Sequence, residues 1–218
     1  MGIFSRASQA YVWLNHLSKA DLEKSLDGVM EPALGLGDEL SNLQKAKHIS
    51  VENEKSVCEL LEGIRQASRS LCSDPWFSSL WTLQEAALRR DAIILSREGS
   101  TLLAYDGKTL LSLAIVGNSY RNLLKVLKRH LARFQGTSTR LVKQALLDLQ
   151  EEVESNVLSF MVCNNPNVPY SLARHRTSTR PEDRIYGIMQ LTNSALGKLW
   201  NHINTSHLKI WMSSSPAS

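Results

Sequence analysis

The stretch from Asp74 to Arg90, which reads DPWFSSLWTLQEAALRR, constrains the fold of this chain most strongly. Asp74 followed by Pro75 is a helix-start signal. The Asp side chain can accept N–H groups of the first turn, and Pro lacks only an N–H that would be unpaired there. A helix carrying two tryptophans, a phenylalanine and three leucines over these positions must be buried nearly all round. The sequence therefore predicts one buried helix over residues 74–90.

The polar residues of this stretch need an explanation of their own. Glu85 follows Trp81 by four positions, so the two share one helix face, and Gln84 stands beside them. A carboxylate beside apolar surface either needs hydrogen-bonding or ionic partners or takes part in a reaction. Glu85 is therefore a candidate catalytic residue. Two structural interpretations remain open beside it. Glu85 can complete a capping box with Thr82, or it can pair with Arg89 or with Arg184.

The composition narrows the class of protein. The chain has 218 residues, of which 43% are hydrophobic and 21% charged, which is ordinary for a soluble globular protein. A net charge of +4 without a dense basic stripe argues against a nucleic-acid partner. Three cysteines without a CxxC pair predict reduced thiols. The sequence shows neither a signal peptide nor an apolar run of membrane-spanning length, so we expect a cytoplasmic protein without a membrane span.

The first half of the chain predicts short strands among longer helices. Tyr11 to Leu14 is β-branched and aromatic, which indicates a short buried strand. Ser18 can cap a helix from Lys19 to about Met30, and Pro32 with two following glycines then breaks the pattern. Ser50 to Leu71 has apolar residues at helical spacing and predicts a long helix.

The second half of the chain also predicts short strands and helices. Residues 92–96 and 101–105 read as two strands joined by a turn at Arg97 to Gly99. A helix is expected from Thr109, with a break at Gly117 and Asn118, and Ser138 can cap another. The sum predicts a helix-rich α/β fold with few short strands, fewer than a complete doubly wound sheet would require.

Basic residues suggest two further candidate sites, each with a structural alternative. Arg176, Arg180 and Arg184 recur every four residues beside Asp183, and such a cluster can hold a phosphate or a carboxylate. The same residues can instead pair with internal acids and dock their segment. The basic face from Arg121 to Arg140 is best interpreted as a solvated helix face. The six histidines are dispersed, and no metal site is predicted.

Three blocks of this sequence together resemble the fungal heterokaryon-incompatibility (HET) domain family. Tyr11 to Ser18, YVWLNHLS, is similar to the family's Y-x-W-[IV]-D-x-[LF]-C block. The LWTLQEA segment within Trp76 to Ala86 resembles its R-x-W-[TC]-x-Q-E block. The segment beginning at Arg176, RTSTRPEDRIYGIM, resembles its R-x-[ST]-x-x-x-D-R-[IV]-Y-[AG]-[LI]-[LM] block. The blocks occur in family order over roughly residues 10–191.

The resemblance implies a domain organisation and has clear departures. Asn15 stands where the family has Asp, Ser18 where it has Cys, and Leu80 where it has Arg. The family's opening aromatic-rich block is absent from this sequence. We therefore expect a HET-like domain over 1–191 that lacks the opening segment, followed by a divergent, partly disordered tail over 192–218.

The resemblance also implies a function and a set of site residues. HET domains act in fungal self/non-self recognition and programmed cell death, which implies protein partners or self-association and no required cofactor. The family is distantly similar to TIR domains, which implies an incomplete TIR-like or flavodoxin-like core of few short strands with additional helices. Enzymatic TIR domains place a glutamate four residues after a Trp in a site that cleaves NAD. The alternatives are therefore an NAD hydrolase using Glu85, or an inactive remnant. The motif residues expected near a cleft are Trp13, Asn15, Trp81, Gln84, Arg176, Asp183, Arg184 and Tyr186.

Overall fold

The chain folds as a helix-rich α/β structure with a small parallel sheet, which confirms the broad class predicted from sequence. The computed structural model describes residues 8–46, 50–79, 82, 86, 89–134, 140–156 and 158. In order, the elements are β1 (Tyr11–Trp13), α1 (Lys19–Lys45), α2 (Val51–Cys72), α3 (Pro75–Ser78), β2 (Ile93–Leu95), α4 (Leu113–Leu131) and α5 (Arg140–Ser155). The expected boundary at residue 191 lies outside the described residues.

The four long helices form a ring around a shared apolar core. Helix α1 packs on α2, α2 on α5, α5 on α4, and α4 back on α1. Each helix places a stripe of fully buried residues in this core, such as Leu22 of α1, Ile64 of α2, Leu123 of α4 and Leu146 of α5. An amphipathic helix is stabilised mainly by burying such a face, so the ring explains why these segments are helical.

Helix α1 begins as predicted and ends far later than predicted. The hydroxyl of Ser18 accepts a hydrogen bond from the N–H of Asp21 at 3.2 Å and caps the helix. The predicted end near Met30 is wrong, because the helix continues through Pro32 to Lys45. Proline within a helix costs about 3 kcal/mol, whereas fully burying one leucine contributes about 1.5–3 kcal/mol. The second half of α1 buries three leucines, Leu36, Leu40 and Leu43, and their burial outweighs the cost of the proline.

Helix α4 differs from the prediction in where it begins and in having no break. Residues 109–112 are not helical, because they pair with neighbouring extended segments: the N–H of Leu111 donates to Leu102 O at 2.9 Å, and the N–H of Ile94 donates to Leu111 O at 3.0 Å. The helix then runs from Leu113 to Leu131 without a break at Gly117. Buried residues on both sides of this glycine, including Val116 and Tyr120, hold the helix against its neighbours.

The small sheet is formed by β1 and β2. β1 and β2 are parallel, with Val12 opposite Ile94. The predicted turn after β2 is confirmed, and Gly99 adopts a φ of 76° there, which only glycine adopts readily. Single antiparallel bridges then join Leu95 to Thr101 and Leu103 to Leu110. Helix α3 ends at Ser78, so the prediction of one helix from residue 74 to 90 is wrong: Ser79 is extended, with a ψ of 141°.

Candidate functional site

The first candidate site lies at the carboxyl ends of β1 and β2, where open parallel sheets commonly bind ligands. Trp13 is 58% exposed at this edge. Its indole Nε1–H donates to the carbonyl oxygen of Arg97 at 3.0 Å, and its ring lies over Gly99. Asn15, two residues on, is also exposed. The predicted short strand is present, but it is buried on one face only: Val12 faces the core, whereas Trp13 faces outward.

Asp74 connects the first two sequence blocks directly. Its side chain is fully buried, and its Oδ2 accepts a hydrogen bond from the backbone N–H of His16 at 2.7 Å. Its Oδ1 accepts from the N–H of Trp76 at 3.0 Å and caps α3, as the Asp-Pro signal predicted. Both carboxylate oxygens are occupied by backbone groups. Asp74 therefore fixes the position of the loop after β1 relative to α3.

A polar network supports the turn beneath Trp13. The Oε2 of Glu98 accepts from the hydroxyl of Ser96 at 2.9 Å and from the N–H of Lys19 at 3.1 Å. The hydrogen bond from Ser96 is the main cause that lowers the pKa of the Glu98 carboxyl. Arg97 pairs with Glu98 at 3.1 Å across an exposed contact. These bonds hold the turn on which the Trp13 indole rests.

Most of the predicted motif residues lie outside the described part of the chain. These are Trp81, Gln84, Glu85, Arg176, Asp183, Arg184 and Tyr186. The catalytic role of Glu85 and its structural alternatives consequently stay predictions. Of its suggested partners, Arg89 is described, and its guanidinium binds Asp91 with two hydrogen bonds of 2.9 and 2.8 Å.

A second candidate site, missed by the sequence analysis, is a groove between α1 and the segment 101–111. Its volume is about 540 Å³. The buried part of its lining is apolar, and the α1 side of its rim carries charge. The lining residues are Lys19, Glu23, Leu26, Asp27, Met30, Thr101, Leu102, Leu103, Ala104, Tyr105 and Leu111. The available signal was the acidic residue every fourth position in α1, at Glu23, Asp27 and Glu31.

The part of the chain that the structure describes contains neither a metal-binding group nor a membrane-spanning helix. No group of three His, Cys, Asp or Glu side chains lies close enough to hold a metal ion. The described cysteines, Cys58 and Cys72, are thiols, and burial is the main cause that raises the pKa of Cys58. None of the described helices has an uninterrupted apolar stretch that would cross a bilayer.

Comparisons with protein-family models, curated proteins and solved structures found no match for this chain. The resemblance to the HET family therefore rests on the three blocks of sequence. Asp74, which precedes the second of these blocks, accepts hydrogen bonds from the backbone N–H groups of His16 in the first block and Trp76 in the second.

Proposed function

We propose that this chain is a fungal self/non-self recognition module of the heterokaryon-incompatibility kind, and that it signals cell death through protein contact. The observation that carries the proposal is an exposed aromatic pair within the family-like first block. Tyr11 is 54% exposed and Trp13 58% exposed. Residues two apart on a strand project from the same face, so the pair forms one surface.

The surroundings of this pair favour binding over packing. Tyr and Trp are the residues most enriched at energetically important positions of protein interfaces. Trp13 is also held in one orientation by its hydrogen bond to Arg97 O and by the contact with Gly99. A side chain ordered before binding loses less conformational entropy when a partner arrives. The pair is therefore suited to contact a protein partner or a second copy of this chain.

The test is inducible expression of the full chain in filamentous fungal strains of different incompatibility genotype, with hyphal growth and uptake of a viability dye as readouts. We expect growth arrest in at least one genotype. The double variant Tyr11→Ser, Trp13→Ser should abolish the arrest. The matched control is Leu34→Ser, Leu141→Ser, which also replaces two exposed apolar residues, 76% and 69% exposed, outside β1. The control should arrest growth like the unaltered chain.

The same experiment separates protein contact from NAD cleavage. We expect cellular NAD to be unchanged before growth stops and Glu85→Gln to retain the arrest. If NAD falls first and Glu85→Gln abolishes both effects, the chain acts as a hydrolase and the contact proposal is wrong. Unaltered growth in every genotype, with the protein present at full length, would instead identify an inactive remnant.

A further inference from the structure

The groove between α1 and residues 101–111 has the form of a peptide-binding groove, with a helix along one side and an extended segment along the other. Lys19, Glu23, Asp27 and Met30 follow one another along α1 at steps of three or four residues, so they line one continuous stripe. The opposite side is formed by residues 101–105. This pairing of a helix with an extended edge is the arrangement used for strand addition.

The extended edge has an unused backbone position. Leu103 stands opposite Leu110, and the hydrogen bonds between these segments come from its neighbours: Leu102 O accepts from Leu111, and Ala104 N donates to Thr109 O. The N–H and C=O of Leu103 therefore point to the other side. Among the described residues, neither group takes part in a hydrogen bond. The side chain of Leu103 is itself 56% exposed.

This edge also lacks the features that normally prevent pairing with another strand. Natural edges are commonly protected by lysine, proline, inward charges or bulges. Residues 101–105 read TLLAY and contain no charge and no proline. The nearby apolar surface is buried below them, where Leu26, Leu102 and Leu111 each expose less than a twentieth of their surface. The exposed apolar surface is that of Leu103 and Tyr105, 56% and 58% exposed, so an extended chain placed here would cover these two side chains and also pair its backbone with the edge.

The charge on the helical side defines the chemistry of the occupant. Glu23 and Asp27 are exposed on the rim, and Glu31 follows one turn later. The carboxylates of Glu31 and Asp27 lie close enough to Tyr105, across the groove, to add to the effect of burial in raising the pKa of that phenol. Lys19 is the single cation of the lining, and its pairing with Glu23 at 3.7 Å is solvent-exposed and readily exchanged.

The spacing of these carboxylates matches an extended chain. Residues four apart in a helix are separated by about 6 Å along the axis. Alternate residues of a β-strand are about 6.6 Å apart. Side chains at every second position of a bound strand can therefore meet Glu23, Asp27 and Glu31 in turn. The stripe from Lys19 to Met30 is about 16 Å long, which accommodates roughly five extended residues.

We propose that this groove binds an extended protein segment with Lys or Arg at alternate positions and apolar residues between them. The segment adds as a strand to the Leu103 edge, its basic side chains contact Glu23 and Asp27, and its apolar side chains cover the exposed side chains of Leu103 and Tyr105. The inference goes beyond the proposed signalling role and does not depend on it, because the groove lining and the Tyr11–Trp13 surface share no residue.

The test is fluorescence anisotropy with the full chain and a labelled hexapeptide that alternates lysine and valine. We expect saturable binding that weakens as salt is raised, because the contacts are exposed ion pairs. A peptide of three lysines followed by three valines has the same composition and charge without the alternation, and should bind at least roughly fivefold more weakly, as for two lost exposed ion pairs. A peptide alternating glutamate and valine should not bind.

Two N-methylated peptides test the backbone pairing without altering the protein. Successive N–H groups of a strand point to opposite sides, so methylating the lysine amides or the valine amides blocks one edge at a time. One of the two should lose roughly tenfold in affinity, as for one lost hydrogen bond, and the other should bind normally. Equal effects of the two peptides would overturn the assignment of strand addition.

Protein variants test the acidic rim. The double variant Glu23→Gln, Asp27→Asn should weaken the lysine–valine peptide roughly fivefold. The matched control, Glu39→Gln, removes an exposed carboxylate of the same helix outside the groove and should bind normally. Absence of saturable binding, or equal binding of the basic and acidic peptides, refutes the proposal. Concentration-dependent dimerisation that the peptide cannot displace, and that Leu103→Lys abolishes, would assign the groove to a second copy of the chain instead.

Discussion

Gly28 of α1 and Ala67 of α2 meet so closely that a Cβ atom added at Gly28 would lie 2.7 Å from the Cβ of Ala67. Such a distance is shorter than real Cβ contacts, and both atoms are fixed to helical backbone. One turn away, the hydroxyl of Ser25 donates to Ser70 Oγ at 3.0 Å across the same interface. The glycine at position 28 therefore sets the separation of the two longest helices.

Gly28→Ala should destabilise the chain. Alanine favours the helix by about 1 kcal/mol, but forcing an extra methyl into a packed contact costs about 1–3 kcal/mol and displaces α1 from α2. We expect a net loss of up to about 2 kcal/mol in the free energy of unfolding, measured by urea denaturation.

The control for this substitution is Gly63→Ala in α2, where an added Cβ meets nothing within 4 Å. It should stabilise the chain by about 0.4–1 kcal/mol. Adding Ala67→Gly to Gly28→Ala should recover part of the lost stability. If Gly28→Ala is as stabilising as Gly63→Ala, the close approach of the helices is wrong.

Asp74→Ala should be more damaging than the loss of an ordinary helix cap. The change removes the cap of α3 and also leaves the N–H of His16 without its 2.7 Å acceptor. We expect a loss of about 2–3 kcal/mol in the free energy of unfolding. Ser50→Ala removes the exposed cap of α2 and should cost about 0.5–1 kcal/mol. Equal losses for the two variants would contradict the linking role of Asp74.

His130 should make stability depend on pH. Its side chain is 2% exposed, its Nδ1 lies 3.3 Å from Gln44 Oε1, and burial, followed by Arg133 and Arg129, lowers its pKa below the usual 6.5. Between the lowered folded-state pKa and 6.5, the unfolded chain binds more protons than the folded chain. The free energy of unfolding should therefore fall as pH drops below 6.5.

The measurement is urea denaturation at several pH values for the unaltered chain and for His130→Gln. The variant should show the smaller decrease between pH 7.5 and about pH 5. A pH profile unaffected by His130→Gln would rule out this histidine as a cause.

Tyr120 and Ser68 should be energetically coupled across the centre of the helical ring. The buried phenol donates to Ser68 Oγ at 3.1 Å, and Asn156 Nδ2 donates to the same oxygen at 3.4 Å. Tyr120→Phe should cost about 1 kcal/mol, and a double-mutant cycle with Ser68→Ala should give a coupling of about 0.5–1 kcal/mol. Strictly additive effects would show that this hydrogen bond contributes nothing to stability.

Local features of this chain were predictable because their physical causes are local. Ser18 and Asp74 each cap a helix at the predicted position, since a short polar side chain followed by a helical stretch satisfies the first-turn N–H groups by itself. The turn at Gly99 was predictable for the same reason. The candidate groove was not predicted, because its two sides come from segments about eighty residues apart.

The sequence by itself determined where α1, α2 and α3 begin, where the chain turns after β2 and that the fold is helix-rich. Only the tertiary structure decided where α4 begins and that α1 and α4 continue through residues that weaken a helix. Pro32 and Gly117 predicted ends because each weakens a helix locally, yet both lie within continuous helices. Leu36 and Leu40 on one helix, and Tyr120 on the other, bury more apolar surface in the ring than the local cost of the breaker. That surface becomes available only when all four helices are assembled.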